Sequence, residues 1–242
     1  RSQKSAFQEI FGDNVIDFNE SISLCSVGFE HENTTIISDV DLTIKKFERI
    51  IILGESGSGK TTLLDILSGI RLANRGYLKI DDTEVNLSNI KSLRAKIGYV
   101  PQDIHLFDGT VGENVAVAQN FNESEVIDAL RKANVWNFLA RKEGVNTRVG
   151  DGGVMLSGGQ KQRIGIARAL YHKPQVLIFD EATSGLDSVT ENSIIDEVIN
   201  GMPEQTIILV THNVSSVSSF GRMLKVLDQK VIEVESSRGL KG

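Results

Sequence analysis

The sequence predicts an α/β fold in which a parallel core carries an antiparallel, β-rich beginning and an inserted helical segment. Residues Ile50–Leu53 form a short apolar run, followed by a glycine-rich turn and an amphipathic helix from about Lys60 to Ser68, which is the opening of a parallel strand–helix unit. Residues 103–160 have helical spacing and no strand pattern. Strand patterns return at Val176–Phe179 and Thr206–Val210, so one composite domain explains the order better than two independent domains.

Two flanking segments complete the predicted organisation. Residues 1–20 carry scattered apolar side chains without a clean period, and we interpret them as a connector to an upstream domain. Because the first residue is Arg1 rather than methionine, we expect the chain to be a piece of a longer protein. Residues 21–242 then form the composite domain, which opens with a β-like stretch from Ile22 to Ile44 and ends in a β-hairpin around Asp228.

The composition is that of a globular protein, with 40% hydrophobic and 24% charged residues among 242. A formal net charge of -6 leaves no basic footprint of the kind that duplex nucleic acid demands, so we expect no nucleic-acid partner. Cys25 is the single cysteine, which excludes a disulfide within the chain. No apolar run approaches the roughly 20 residues that span a bilayer, so we expect any membrane-spanning part to lie outside this sequence.

The glycine-rich turn after Leu53 matches the pattern G-x-x-x-x-G-K-[ST], which binds nucleotide phosphates. Glycines let successive backbone N–H groups turn inward onto phosphate oxygens, and the following helix directs its positive end at the same anion. We expect Lys60 to reach the β and γ phosphates and the Thr61 hydroxyl to bind Mg²⁺. A turn that merely links strand to helix is the alternative reading. The predicted cradle consists of Gly54, Glu55, Ser56, Gly57, Ser58, Gly59, Lys60, Thr61 and Thr62.

Two acids stand side by side after the apolar strand Val176–Phe179. Open α/β sheets hold their ligands at the carboxyl ends of strands, so Asp180 is suited to the Mg²⁺ shell, directly or through water. Glu181 leaves the strand and can face an attacking water as general base. An acidic turn that only caps the strand is the alternative, and the phosphate loop in the same chain disfavours it.

A second glycine-rich helix start, Leu156-Ser157-Gly158-Gly159-Gln160, follows the helical segment. Ser157 is a natural N-cap, and Gly158 and Gly159 have no Cβ to block the approach of an anion. The sequence therefore has two helix N-termini fit for phosphate, more than ninety residues apart. A capped helix start is common by itself, but a simple kinase or GTPase has no use for this second one.

These motifs in this order resemble those of the ABC ATPase family, and the resemblance runs from about residue 22 to residue 233. It implies a P-loop NTPase (RecA-like) core with an antiparallel β subdomain and an inserted helical subdomain. Gln102 matches the glutamine loop that senses Mg²⁺ and couples to a membrane domain, and His212 matches the switch histidine that contacts the γ-phosphate. Asp187 matches the D-loop of the family. His31 stands where an aromatic residue stacks on adenine, so we expect weaker stacking there.

The resemblance also implies a mechanism. In the family, two domains pair head to tail, so that ATP lies between the phosphate loop of one copy and the Ser157 signature of the other. ATP stabilises the closed homodimer and hydrolysis releases it, which drives transport through an attached transmembrane domain. The implied cofactors are ATP and Mg²⁺. The implied location is the cytoplasmic face of a membrane, with the bacterial inner membrane as the leading expectation.

Two segments are similar to the exporter branch of the family, residues 102–114 and Thr147–Gly153, and the second also resembles bacterial flippases of lipid-linked glycans. Two alternatives stay open. A soluble, non-transport ABC ATPase acting on DNA or ribosomes usually carries a coiled-coil insertion or tandem copies, which this sequence lacks. A scaffold that binds ATP without hydrolysing it would have lost Glu181 or His212, and both are present.

Overall fold

The structure is a computed structural model that describes residues 14–182, 188–194, 197, 201–211 and 221–234. The chain divides into two compact units, Arg1–Ile97 with Gln205–Gly242 and Gly98–Glu204. The strands are β1 (Ser21–His31), β2 (Thr34–Lys45), β3 (Arg49–Leu53), β4 (Arg75–Ile80), β5 (Thr83–Glu84), β6 (Ile97–Val100), β7 (Val176–Asp180), β8 (Thr206–Val210), β9 (Arg222–Leu227) and β10 (Lys230–Val234). The helices are α1 (Lys60–Leu67), α2 (Ile90–Ala95), α3 (Val111–Ala116), α4 (Glu123–Lys132), α5 (Trp136–Leu139), α6 (Gly158–Tyr171) and α7 (Ser188–Ile194).

An antiparallel sheet of four strands, in the order β2-β1-β4-β5, forms one part of the first unit. Its register pairs buried residues from distant parts of the chain, for example Leu24 with both Leu42 and Leu78. Irregularities interrupt the pairing of β1 with β2 between Leu24 and Glu30. Bulges of this kind bend a strand and re-aim its side chains, and here they come directly before the strand end that carries the predicted base-binding residue.

The other strands of the first unit lie in the order β10-β9-β3-β8. The central strand β3 runs parallel to both β8 and β9, with Ile51 opposite Leu209 and Met223. Ile50, Ile51 and Ile52 are each 0% exposed, so β3 is buried on both faces, as is usual for a strand with parallel neighbours. The predicted phosphate loop, which begins at the next residue after β3, therefore follows a buried strand.

The second unit contains α3 to α7 and two short 3₁₀ turns, with β6 and β7 as hydrogen-bonded neighbours. Its longest described helix, α6, packs against α3 and α4. The packing face of α6 includes Ile164, Ile166 and Ala167, which are each 0% exposed. Because α6 begins at the predicted signature, this packing also holds the signature in place within the second unit.

Residues 14–20, the described part of the predicted connector, make hydrogen bonds to other residues of the first unit. Asp81 accepts hydrogen bonds from the backbone N–H groups of residues 19–21, at 2.8 to 2.9 Å. Burial acts to raise the pKa of the Asp81 carboxyl, but these three donors, with Lys46 nearby, hold that pKa below its usual value. Ile16 is 3% exposed, and its N–H donates to Ser92 Oγ at 2.9 Å. These residues therefore pack with the first unit.

Most predicted elements are present with small shifts in their ends. The helix from about Lys60 to Ser68 is α1, the strands at Val176 and Thr206 are β7 and β8, and the hairpin around Asp228 is β9 with β10. Sequence patterns did not indicate the four elements between residues 75 and 100, which are β4, β5, α2 and β6. Within the described ranges, no helix combines the length and the apolar character that crossing a membrane requires.

Candidate functional site

The predicted phosphate loop, residues 54–59, connects the buried strand β3 to α1 in the first unit. Lys60 is the first residue of α1, and only 5% of it is exposed. Its Nζ donates hydrogen bonds to the backbone carbonyl oxygens of Gly54 and Glu55, each at 2.9 Å. The ammonium group is therefore held over the loop, where it can bind the phosphate oxygens that the loop N–H groups attract.

Two glycines of the loop stand where a side chain would not fit. A Cβ on Gly54 would lie 2.6 Å from Ser58 Oγ and 2.9 Å from the carbonyl oxygen of Val226. Gly59 has a left-handed φ of 103°, and a Cβ there would lie 3.1 Å from the carbonyl oxygen of Ile36. Both positions need glycine because any other residue would open the loop or strain its backbone.

The start of α1 is open. Its N-cap, Gly59, supplies no side-chain hydrogen bond, and no acidic residue occupies the first turn. The Ser58 hydroxyl oxygen is buried and has no hydrogen-bond partner within the described residues. Uncapped N–H groups and an unpaired buried hydroxyl fit a site that a phosphate completes. The exposed Thr61 and the half-buried Thr62 lie in the same first turn.

The second unit presents the acid pair at the end of β7. Asp180 is the last residue of this strand, and its Oδ2 accepts a hydrogen bond from the Tyr99 hydroxyl at 2.7 Å. Glu181 has a φ of 49°, a left-handed backbone that is uncommon for a glutamate. Backbone strain of this kind clusters at functional sites. The chain changes direction between the two acids, which suits one of them to a metal and the other to a water molecule.

Tyr99 contacts the predicted metal ligand Asp180, and the sequence patterns did not indicate this contact. It lies on β6, the neighbour of β7, three residues before Gln102. Gln102 is exposed and follows β6 directly after Pro101. The tyrosine hydroxyl connects the strand of Asp180 to the strand that leads to Gln102, so two of the predicted metal ligands lie at or just after the ends of neighbouring strands in one unit.

The predicted signature lies at the start of α6. Its N-cap, Ser157, accepts a hydrogen bond at Oγ from the Gln160 N–H at 3.3 Å, and Gln160 Oε1 accepts one from the Ser157 N–H at 3.0 Å. This reciprocal capping box satisfies two backbone donors that a helix start otherwise leaves unpaired. Ser157 and Gly158 are exposed. The predicted signature is therefore capped by its own side chains, and its first residues are exposed to solvent.

Gly159 lets α6 approach α7 closely. A Cβ on Gly159 would lie 2.6 Å from Thr190 Cγ2, so a larger residue would push the two helices apart. Arg163 joins the same helices, because its Nη2 donates to Ser193 Oγ at 2.7 Å. Since α7 begins directly after the predicted D-loop residue Asp187, the signature helix packs on the helix that follows the D-loop.

The predicted base-stacking residue, His31, is the exposed last residue of β1. It pairs in register with Thr34 across the turn to β2. Two residues earlier Phe29 is buried, and the Arg71 guanidinium lies 4.8 Å from the centre of its ring. An exposed imidazole at a strand end can stack on a base, although its ring offers a smaller face than that of tyrosine.

Two predicted site residues, Asp187 and His212, lie outside the described residues, and their roles stay predictions. In the part of the chain that the structure describes, no group of three or more His, Cys, Asp and Glu side chains could hold a metal ion. The predicted ligands Thr61, Gln102 and Asp180 offer a hydroxyl, an amide and a single carboxylate. Mg²⁺ is usually held by one or two carboxylates with phosphate oxygens and waters, so this donor set fits a Mg²⁺ ion that arrives with a nucleotide.

Comparison with known families explains this set of motifs. Residues 37–184, more than half of the chain, match the family model described as ABC transporter. The chain belongs to the ABC transporter family. The matched range of this ABC domain begins before the phosphate loop and includes the acid pair and the signature.

This ABC domain is similar to longer transport proteins. It is 38% identical over 223 residues to the ATP-dependent lipid A-core flippase of Francisella novicida, covering 90% of this chain and 37% of the relative. It is 34% identical over 236 residues to the ABC-type transporter fsqE of Aspergillus fumigatus, covering 92% of this chain and 18% of the relative. A solved structure of a bacterial Atm1-family ABC exporter with ATP bound matches with a TM-score of 0.82 and 32% identity, covering 93% of this chain and 41% of that one.

These similarities confirm three of the predictions. The chain is an ATPase domain of the exporter type, and its fold is that of the P-loop NTPases with mixed α/β sheets. It spans less than half the length of the relatives it matches.

Proposed function

We propose that this domain is the ATP-driven motor of an exporter, in which two copies pair head to tail around two ATP molecules and separate after hydrolysis. The observation that supports this most is the difference between the two helix starts. The start of α1 is uncapped, with a buried and unpaired Ser58 hydroxyl among the described residues, whereas the start of α6 at Ser157 is exposed and capped by its own side chains. This difference fits a nucleotide that one copy holds and the other copy covers.

Each predicted residue has a task in this cycle. Lys60 and the loop N–H groups hold the phosphates, and Thr61, Gln102 and Asp180 contribute oxygens to Mg²⁺, which neutralises phosphate charge when bound. Glu181 accepts the proton of the attacking water. The remaining nucleotide contacts are assigned to His31 for the base, to His212 for the γ-phosphate, and to Ser157, Gly158, Gly159, Gln160 and Asp187 from across the pair.

The relatives are longer than this chain, and we assign their additional length to a membrane-spanning part. We propose that such a part belongs to the same protein as this domain. Two relatives are named as a lipid A-core flippase and an ABC exporter, and this chain covers 37% and 41% of them. In this arrangement the domain works on the cytoplasmic face of a membrane, where ATP is present. In a bacterium this would be the inner membrane. The likeness to the lipid A-core flippase favours a lipid as the transported substance.

Pairing can be tested on the purified domain by light scattering and by ATP turnover over a range of protein concentrations. With ATP and Mg²⁺, we expect the mass to double and the turnover per domain to rise with concentration, because each site needs two copies. Ser157→Arg should keep ATP binding and abolish both effects, since it places a bulky side chain at the exposed helix start. Ser124→Arg, at an exposed serine on α4, is the matched control. A Ser157→Arg domain that still pairs with ATP contradicts the head-to-tail arrangement.

A further inference from the structure

Arg168, near the end of α6, binds the segment that follows Gln102 in the second unit. Its Nε donates a hydrogen bond to the carbonyl oxygen of Asn114 at 2.8 Å, and its Nη1 donates to the carbonyl oxygen of His105 at 3.1 Å. Its Nη2 donates to Asn114 Oδ1 at 3.3 Å. One guanidinium group therefore holds both ends of the segment 105–114.

Asn114 completes the contact from within the segment. It is 0% exposed, its Oδ1 accepts a hydrogen bond from the Phe107 N–H at 3.1 Å, and its Nδ2 donates to the carbonyl oxygens of Phe107 and Thr110, each at 3.0 Å. Together with Arg168, these partners use both donors and both acceptor positions of the Asn114 carboxamide. A fully satisfied buried polar network of this kind rigidifies the segment that contains it.

The charge of Arg168 makes the contact sensitive to geometry. Burial lowers the pKa of the Arg168 guanidinium, and within the described residues its hydrogen bonds go to neutral amide oxygens. A desolvated cation needs such partners at the correct positions, and the planar guanidinium group can meet three fixed oxygens only in one arrangement. The segment 105–114 is therefore fixed to α6 in one position.

The two parts that Arg168 joins carry different motifs. The segment 105–114 begins three residues after Gln102, and α6 begins at the exposed signature that Ser157 caps. We propose that Arg168 and Asn114 are positioning residues, which hold the loop of Gln102 and the signature helix at one fixed spacing. This inference rests on the proposed function, in which Gln102 contacts Mg²⁺ and the signature meets a nucleotide.

A positioning role and a purely structural role predict different kinetics. If the contact positions Gln102, its loss should lower kcat and raise the Mg²⁺ concentration for half-maximal turnover, while ATP affinity measured without Mg²⁺ stays the same. The phosphate loop, which binds ATP, belongs to the other unit and keeps its own contacts. If the contact only stabilises the fold, kcat per total protein should fall in proportion to the folded fraction, while the Mg²⁺ concentration for half-maximal turnover and the ATP affinity of the folded molecules stay the same.

Arg168→Lys is the first variant, because it keeps the positive charge but loses the forked geometry. We expect kcat to fall by roughly 10- to 100-fold, the effect of losing charge-assisted hydrogen bonds that position a reacting group. Hydrogen exchange at the Phe107 N–H should become faster, because the Asn114 acceptor is no longer held. Arg131→Lys, at an exposed arginine on α4, is the matched control and should leave kcat and exchange unchanged.

Asn114→Leu is the second variant, because it keeps nearly the size of the side chain and removes the two donors to Phe107 and Thr110 together with the acceptor of the Phe107 N–H. It should reproduce the loss of kcat and the faster exchange, so the inference stays testable if one variant folds poorly. Wild-type kcat and Mg²⁺ dependence in both folded variants would overturn the positioning role. A loss of kcat that only matches the loss of folded protein measured by circular dichroism, with an unchanged Mg²⁺ dependence, would also overturn it.

The two proposals fail in different ways. A wild-type domain that shows no ATP turnover refutes the motor function. In that case the hydrogen-exchange comparison still tests the contact, because exchange at Phe107 depends on Arg168 and Asn114 and not on hydrolysis. If hydrogen exchange at the Phe107 N–H in Arg168→Lys is as slow as in the wild type, that result alone would refute the proposed role of the Arg168 contact.

Discussion

The start of α1 and the start of α6 are both glycine-rich, but their backbone N–H groups are capped differently. At α1, the N-cap is Gly59 in a left-handed conformation, and it offers no side-chain acceptor. At α6, Ser157 and Gln160 form a reciprocal capping box. The first start also has Lys60 folded over it, 2.9 Å from two carbonyl oxygens of the loop.

We expect this difference to distinguish a site that binds a nucleotide by itself from a surface that adds contacts to a nucleotide already bound by another copy. An uncapped helix start with an ammonium group beside it gains most of its hydrogen bonds from a phosphate, so its affinity does not require a second copy. A capped start has already satisfied two donors, so it offers fewer hydrogen bonds to a free anion. We therefore expect the first start to determine ATP affinity and the second to determine pairing.

The largest expected effect comes from Glu181→Gln. This variant should hold two domains in the ATP-bound pair, in which both helix starts contact the nucleotide. The amide keeps the size of the side chain but cannot accept the proton of water, so turnover should fall by about 10²–10⁴-fold. Measured by phosphate release, this loss should leave the affinity for a fluorescent ATP analogue unchanged. Glu143→Gln, at an exposed glutamate in the same unit, serves as control. Turnover near that of the wild type would exclude Glu181 as the base.

A smaller effect is expected from Lys60→Ala, which tests whether the first start alone determines affinity. Loss of the charged donor should weaken ATP binding by about 100-fold, since hydrogen bonds from a charged group to phosphate are strong. Affinity should be measured at protein concentrations too low for pairing. Lys161→Ala, which removes a lysine from the first turn of α6, should leave this affinity unchanged. Equal losses in the two variants would show that the two helix starts do not differ in this way.

The smallest effect concerns how the caps respond to acid. The second unit has another capping box, in which the Thr110 N–H and hydroxyl donate to Glu113 and lower the pKa of its carboxyl. A lowered pKa means that the stabilisation is complete above the unfolded-state pKa of about 4.3 and is lost as the pH falls through the folded-state pKa. Glu113→Gln should therefore destabilise the domain at pH 7 but make little difference in acid.

The box at α6 contains no ionisable side chain and should behave differently. Ser157→Ala should lower the free energy of unfolding by about 1 kcal/mol at both pH values, because a neutral cap does not titrate. Urea unfolding of the two variants and the wild type at pH 7 and in acid provides the comparison. The neutral cap would be contradicted if the loss of unfolding free energy in Ser157→Ala disappeared in acid. The titrating cap would be contradicted if the loss in Glu113→Gln persisted there.

The motifs themselves could be predicted from the sequence because each depends on residues that are close along the chain. The phosphate loop follows from the spacing of Gly54, Gly59 and Lys60 after an apolar strand. The cap at Ser157 follows from Gln160 three residues later. Local hydrogen bonds and backbone preferences determine such features wherever the segment lies in the fold. The strand ending at Asp180 could be predicted for the same reason, since its apolar run is continuous.

Other contacts were decided by the tertiary structure. The hydroxyl of Tyr99 donates to Asp180 across 81 positions of the sequence, and Arg168 reaches Asn114 across 54. Likewise β4, which no local pattern indicated, exists because Leu78 pairs with Leu24 on β1. A single sequence carries local preferences, but it does not state which distant segments become neighbours. Burial and pairing of those segments in the folded chain select the partners, and they determine how the residues around the motifs are held.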